Sequence, residues 1–202
     1  MALTITVLAM EMVVSSFLAI GMMVAVVVIF RAFVRRPAGV WQEDPPGVRT
    51  MVVFRGNHPD FFEDDPPEGP YVGVRLFGEL CDGLADQGVA VENRGTIQNA
   101  QRAECVLEGQ RFALVLEWLE HRWLASVEWV PRRGAERRHL ALTHRVYAPA
   151  DSPALRRLLR AIDQWLRRDE RLFDVKWHRK EKWIAGDQST AAARPVDDPR
   201  DG

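Results

Sequence analysis

Apolar and polar residues recur along this chain with different periods, and each period predicts a different element. Met12 to Phe30 is a run of nineteen residues without a charged side chain. A helix of that length rises about 28 Å, close to the roughly 30 Å hydrocarbon core of a bilayer. The run therefore predicts a transmembrane helix, with a cleaved signal peptide and a buried core helix as the alternatives.

Positive charge lies on one side of this run, since Arg31, Arg35 and Arg36 follow it and no Lys or Arg precedes it. Because such charges stay on the cytoplasmic side, we expect a single-pass protein of the inner (cell) membrane with a cytoplasmic C-terminal domain. The opposite orientation is the alternative. Small residues recur at four-residue spacing within the span, at Ser15, Ala19, Gly21 and Ala25. Because the two pairs point to different faces of the helix, we expect a lipid-facing span without a specific partner, and a homo-oligomer through this helix is the alternative.

Helical periodicity returns twice after residue 71. The first helix is predicted from apolar residues at Val74, Phe77, Leu80, Cys81 and Leu84, and Gly88 ends it. The second begins at Pro153, where Ser152 supplies a capping side chain. Its apolar stripe consists of Leu155, Leu158, Leu159, Ile162, Trp165 and Leu166.

Period-two alternation predicts the strands, which cover 104–107, 112–118, 123–129 and 138–147, with a fifth candidate at 172–177. Short turns between them indicate an antiparallel meander. The predicted fold class is α+β: an N-terminal transmembrane helix, then one small domain with an antiparallel four- to five-stranded sheet packed by two helices.

Pro, Gly and acidic residues separate the predicted parts of the chain. Residues 1–36 form the tail, span and basic flank, 37–70 a Pro/acidic linker, 71–183 the α+β domain, and 184–202 a disordered tail. Within the linker, 50–54 is either an edge strand or a docked apolar piece. The sequence alone does not separate these two readings.

Charge is divided along the chain although the formal net charge is only −1. Residues 31–120 hold nine Lys and Arg against fifteen Asp and Glu, whereas 121–183 hold sixteen against eight. A basic face beside a bilayer could contact anionic lipid, or these charges could simply be solvated. The two cysteines, Cys81 and Cys105, argue against a disulfide framework.

Catalytic motifs are absent from the sequence. The five histidines, His58, His121, His139, His144 and His178, have no metal-ligand spacing, and neither a nucleophile motif nor a phosphate-binding loop occurs. His144 lies on the apolar face of its predicted strand and is interpreted as a core histidine. We therefore expect no catalytic residue, cofactor or metal, and a small membrane-tethered enzyme using His121, Glu128 or His144 is the alternative.

Six of the seven tryptophans fall between residues 118 and 183, and two of them lie among basic residues. Aromatic and basic residues interleaved in this way suit an acidic protein or anionic lipid, and nucleic acid is not expected. The candidate interaction surface comprises Arg156, Arg157, Arg160, Arg167, Arg168, Trp177, Lys180, Lys182 and Trp183.

The soluble part resembles small uncharacterised bacterial α+β domains that run helix, Trp-bearing hairpins, amphipathic helix and short strand. The matching residues are Leu80, Leu84, Gly88, Trp118, Trp129 and Asp174-Val175-Lys176-Trp177, within about 110 of the 202 residues. No catalytic residues can be carried over from this resemblance. The predicted function is a membrane-anchored, non-catalytic interaction domain that binds a protein partner or the membrane surface, with a structural subunit of an envelope complex as a further alternative.

Overall fold

A computed structural model of the protein describes residues 43–63, 73–97, 99–131, 134, 136–137 and 147–197. The predicted transmembrane run, Met12 to Phe30, lies outside these residues, and so does nearly all of the predicted strand at 138–147. Within the described part of the chain, no helix combines the length and apolar character needed to cross a membrane.

The contacts divide the chain into two compact units. The first consists of Met1–Pro37 and Pro131–Arg145, of which only four residues are described. The second consists of Ala38–Val130 and Val146–Gly202 and contains all the elements that follow.

Six strands and three helices are described in the second unit, with one 3-10 turn at Pro59–Phe62. The strands are β1 (Met51–Arg55), β2 (Ala90–Ile97), β3 (Ala100–Leu107), β4 (Gln110–Leu119), β5 (Arg122–Trp129) and β6 (Phe173–His178). The helices are α1 (Val74–Ala85), α2 (Pro153–Arg168) and α3 (Lys180–Ile184).

The strands form one sheet in the order β2-β3-β4-β5-β1-β6, and every neighbouring pair is antiparallel. Strands β2 to β5 are a meander. Two of its connections are the two-residue turns Glu108-Gly109 and Glu120-His121, and φ is positive at all four positions, as a type I′ hairpin requires. His121 is thus a turn residue.

Strand β1 lies inside the sheet, between β5 and β6. Val52 is opposite Ala125 on one side and Trp177 on the other. Neither interpretation of the segment 50–54 anticipated this position. A segment flanked by Pro-rich linker therefore supplies an interior strand of the domain.

One face of the sheet, the helix-covered face, packs against α1 and α2. Its strand residues include Val52, Cys105, Leu114, Ala125 and Trp177, all buried. The helices bury Leu76, Phe77, Leu80, Cys81, Leu84, Ala154, Leu155, Leu158, Leu159, Ala161, Ile162 and Leu166. The predicted cap of α2 is present, since Leu155 N donates to Ser152 Oγ at 3.1 Å.

The opposite face carries a smaller apolar cluster, formed by Met51, Val53 and Leu124, against which Leu119 and Trp183 pack. Because Trp183 belongs to α3, this short helix covers the opposite face beside β1. Helices α2 and α3 therefore lie on different sides of the sheet.

The predicted fold class is wrong in its numbers of strands and helices: the sheet has six strands, and three helices are described instead of two. Strand β2 was missed because it is an exposed edge strand, polar over most of its length, with a register shift between Glu92 and Gly95. Helix α3 was missed because five residues are too few to show helical periodicity.

The predicted disordered tail from 184 onward carries ordered contacts as far as Asp197. Ala192 pairs with Trp177, and Val196 pairs with Val48. Arg49 N donates to Pro195 O at 2.8 Å. The end of the described chain is thereby attached to the segment just before β1.

Candidate functional site

The exposed side of α2 carries the predicted arginines. Residues 157, 160, 164 and 168 fall within about 80° of one another around the helix axis and extend for about 16 Å along it. We call Arg157, Arg160 and Arg168 the arginine stripe, and exposed Gln164 lies in its middle. Arg160 and Arg168 form no ion pair with any residue that the structure describes.

The remaining arginines of α2 are partly neutralised by nearby acids. Arg156 Nε lies 2.8 Å from Asp151 Oδ1, and this guanidinium lowers the pKa of Asp151. Arg167 Nε lies 3.0 Å from Asp163 Oδ1 one turn earlier. Within the stripe itself, Arg157 has only a longer contact of 3.4 Å with Glu108. The least compensated positive charge on α2 therefore belongs to the arginine stripe.

Two predicted surface residues are internal. Trp177 is fully buried, and its Nε1 donates to Asp163 Oδ1 at 2.7 Å. Lys180 is 3% exposed. Lys182 is exposed as predicted, whereas Trp183 is half-buried, with its ring centroid 4.9 Å from that of His178. The structure thus divides the predicted surface between α2, α3 and the interior.

A second group of functional interest is a polar cluster that comprises the buried residues Asp44, Thr50 and Lys180 and the partly exposed Glu128. Asp44 is its centre. The Asp44 carboxylate accepts hydrogen bonds from Thr50 N at 2.8 Å, Thr50 Oγ1 at 2.6 Å and Lys180 N at 3.0 Å. Burial nevertheless raises the pKa of Asp44, with these hydrogen bonds acting against it.

Strand register explains how Lys180 and Glu128 come together. Met51 is opposite Ser126 on one side and His178 on the other. Glu128 lies two residues after Ser126 on β5, and Lys180, the first residue of α3, follows His178 by two residues through the extended Arg179. This spacing brings both side chains to the same face of the sheet. The Ser126 hydroxyl donates to Glu128 Oε1 at 3.1 Å, and burial raises the pKa of Glu128.

Lys180 has an unusual environment for an amine. Its Nζ atom is buried and has no hydrogen-bond partner among the described residues. Burial lowers the pKa of Lys180 to about 8, although Glu128, Asp44 and Glu181 favour the charged form. The pKa of His178 is also lowered, by burial and by the positive charges of Lys176 and Arg122.

This cluster can store a proton, but its geometry indicates a structural role. Asp44 has its lone pairs occupied by backbone and hydroxyl donors, and Glu128 is hydrogen-bonded to a neighbour on its own strand. Of the residues expected for an enzyme, His121 lies in an exposed turn and His144 lies outside the described residues. Across the described ranges, no group of three His, Cys, Asp or Glu could hold a metal ion.

The cysteines are chemically protected. Cys81 and Cys105 are fully buried, and burial raises their pKa values to about 11 and about 12. Thiols with such values are protonated at neutral pH and react slowly, because the thiolate is the nucleophile.

Sequence reasoning missed Asp44, which it placed in a linker. A single acidic residue before two prolines carries no signal of burial.

Comparison of the chain with protein-family models, with curated proteins and with solved structures finds no match.

Proposed function

We propose that this chain is a membrane-tethered, non-catalytic interaction domain whose arginine stripe binds an acidic protein partner. The observation that carries the proposal is the pair Arg160 and Arg168, exposed on one side of a helix and without ion pairs among the described residues. Guanidinium groups are weakly hydrated and form bidentate contacts with carboxylates. The predicted apolar run, Met12 to Phe30, supplies the tether.

An acidic protein is favoured over anionic lipid as the partner of this stripe. Asp44 lies fourteen residues after the predicted tether and is hydrogen-bonded to Lys180 and Glu181 at the start of α3. The arginine stripe belongs to α2, on the other face of the sheet from α3. A bilayer near α3 would leave the stripe directed towards the aqueous phase.

Photocrosslinking at the centre of the stripe tests the proposal. A photoreactive residue replaces Gln164 in the full-length protein in its native membrane, and the same residue at exposed Thr96 on β2 is the site control. We expect a crosslink to an acidic protein from position 164 alone. A crosslink to lipid alone would assign the stripe to the membrane surface and contradict the proposal.

Charge removal then measures the contribution of the stripe. Arg157→Gln, Arg160→Gln and Arg168→Gln are combined, and the matched control removes the same charge from Arg55, Arg94 and Arg111, which are exposed elsewhere. Exposed ion pairs contribute roughly 0.5 kcal/mol each, so the stripe variant should bind the crosslinked partner about tenfold more weakly. Equal affinities of the two triple variants would refute the assignment.

A further inference from the structure

Helix α3 presents an exposed apolar side chain next to an aromatic one. Ile184 is 68% exposed, more than the other exposed large apolar residues that the structure describes, Phe173 and Ile97. Trp183 beside it is half-buried against the apolar cluster of the opposite face. The pair therefore has one side chain held by the domain and one directed away from it.

Positive charge surrounds this apolar tip. Arg122 Cζ lies 5.8 Å from the centroid of the Trp183 ring, and Arg122 has no carboxylate partner in the described part of the chain. Lys182 Nζ is 3.8 Å from Asp187 Oδ2, a long contact between two exposed groups. Aromatic rings with Lys and Arg around them are typical of proteins at the membrane–water interface.

The chain enters the domain beside α3. Asp44 N donates to Glu181 Oε2 at 3.0 Å, and Arg179 Nη2 donates to Asp44 O at 2.7 Å. Phe30, the last residue of the predicted span, precedes Asp44 by fourteen residues, which reach about 50 Å at most. Helix α3 is therefore hydrogen-bonded to the first part of the domain that a membrane tether would meet.

We propose that α3 is a membrane contact in which Ile184 enters the headgroup region, Trp183 attaches it to the domain, and Arg122 and Lys182 bind lipid phosphates. This inference rests on the proposed tether. One short helix would not hold a free protein on a bilayer, but a tethered domain experiences a high local concentration of lipid, so a weak contact suffices. The contact would fix the orientation of the domain and leave α2 free for its partner.

A fluorescent probe at residue 184 tests this contact in the full-length protein. Ile184→Cys is labelled with an environment-sensitive maleimide dye, and the protein is incorporated into nanodiscs of phosphatidylcholine with or without phosphatidylglycerol. Cys81 and Cys105 are buried and remain unlabelled. The matched control is Ile97→Cys, which is 50% exposed on β2, the sheet edge furthest from β6.

We expect the emission of the dye at residue 184 to shift to the blue and to be quenched by a lipid that carries a spin label at headgroup depth. The emission of the dye at residue 97 should be that of a dye exposed to water. A protein that does not co-purify with nanodiscs would overturn the tether and the inference together. A protein that co-purifies but gives the same emission at 184 and 97 would overturn the α3 contact and leave the tether standing.

Discussion

At the scale of single residues, Lys180 shows burial and charge in direct opposition. Its amine is excluded from water, which disfavours the ammonium form, while Glu128 and Asp44 favour it. The net result is a pKa of about 8 in the folded protein against 10.5 for an ordinary lysine. The folded state therefore binds this proton less tightly than the unfolded state does.

The lowered pKa makes folding stability depend on pH in a defined direction. Between pH 8 and 10.5 the unfolded chain holds the Lys180 proton more strongly, so this residue makes stability rise as the pH rises. The contribution approaches roughly 3 kcal/mol across the window. We expect Lys180→Met to remove this rise, as measured by urea unfolding from pH 7 to 10.5.

Lys182→Met is the matched control, because it removes an exposed amine two residues away. Cys81 and Cys105 act in the opposite direction above pH 9, since the pKa of each thiol is raised, but they are the same in all three proteins. If wild type and Lys180→Met show parallel pH profiles, the amine of Lys180 is not buried as described.

The burial of Asp44 and its hydrogen bonds could not be predicted from the sequence. Its importance comes from donors supplied by Thr50 and by Lys180, which is 136 residues away. Such a partner is set by the assembled fold and has no counterpart in the local sequence. Ser152 is the contrasting case, because its capping bond is to a residue three positions along.

At the scale of elements, the two glycines within α1 have different roles. A Cβ atom added at Gly83 would lie 2.2 Å from Trp165 Cδ1, whereas one added at Gly78 would meet nothing within 4 Å. Gly83 therefore permits the close approach of α1 to α2. Gly78 is only a weak helix former in an otherwise regular helix.

We expect Gly83→Ala to destabilise the domain by roughly 1–3 kcal/mol, because Trp165 must move from a packed position. Gly78→Ala should stabilise it by about 0.5–1 kcal/mol, since alanine loses less backbone entropy than glycine on helix formation. Urea unfolding of both variants measures these values. Stabilisation by both substitutions would show that the helices do not meet at Trp165.

The predicted elements that the structure contains are those with local signals. Helix α2 has a cap, a first-turn proline and a full apolar stripe, and β4 and β5 alternate with period two. Strand β2 has no alternation of apolar and polar residues, because almost all of its side chains are exposed. The pattern of β1, Met51-Val52-Val53-Phe54, is apolar on both faces, which is typical of an interior strand. It did not predict the position of β1 in the sheet, because the strands that pair with β1 are distant in sequence.

At the scale of the whole molecule, the two ends of the described domain are joined. Val48 and Val196 form a β-bridge and are both buried, and Arg49 Nη1 lies 2.5 Å from Asp197 Oδ1. The segment leading into β1 is therefore held by the last residues of the described chain.

We expect Val196→Ala to destabilise the domain by roughly 1–2 kcal/mol, since it removes buried methyl groups at this junction. Arg194→Ala, an exposed site two residues earlier, should change stability by less than about 0.5 kcal/mol. Thermal unfolding of the two variants makes the comparison. Equal effects would mean that the junction contributes nothing to the fold.

The exposure of the residues in the proposed interaction surface was predictable only in part, for the same reason as the strands. Helical spacing placed the arginines of α2 correctly on an exposed side. Charge density near Trp177 and Lys180 suggested exposure. Trp177 instead lies on the helix-covered face, where its Nε1 donates to Asp163 of α2, and Lys180 is buried beside Asp44. Neighbouring charges along a chain do not reveal which way each side chain points.

The interior position of β1 also governs when the domain can form during synthesis. Strands β2 to β5 pair with sequence neighbours and can assemble as soon as they leave the ribosome, whereas β1 emerges before either of its partners. One side of β1 can pair only once β5 has emerged and the other only once β6 has, and the junction with Val48 requires Val196. The four apolar residues from Met51 to Phe54 therefore remain unpaired while β2 to β4 are synthesised, and they are the segment of this domain most dependent on protection from aggregation in a nascent chain.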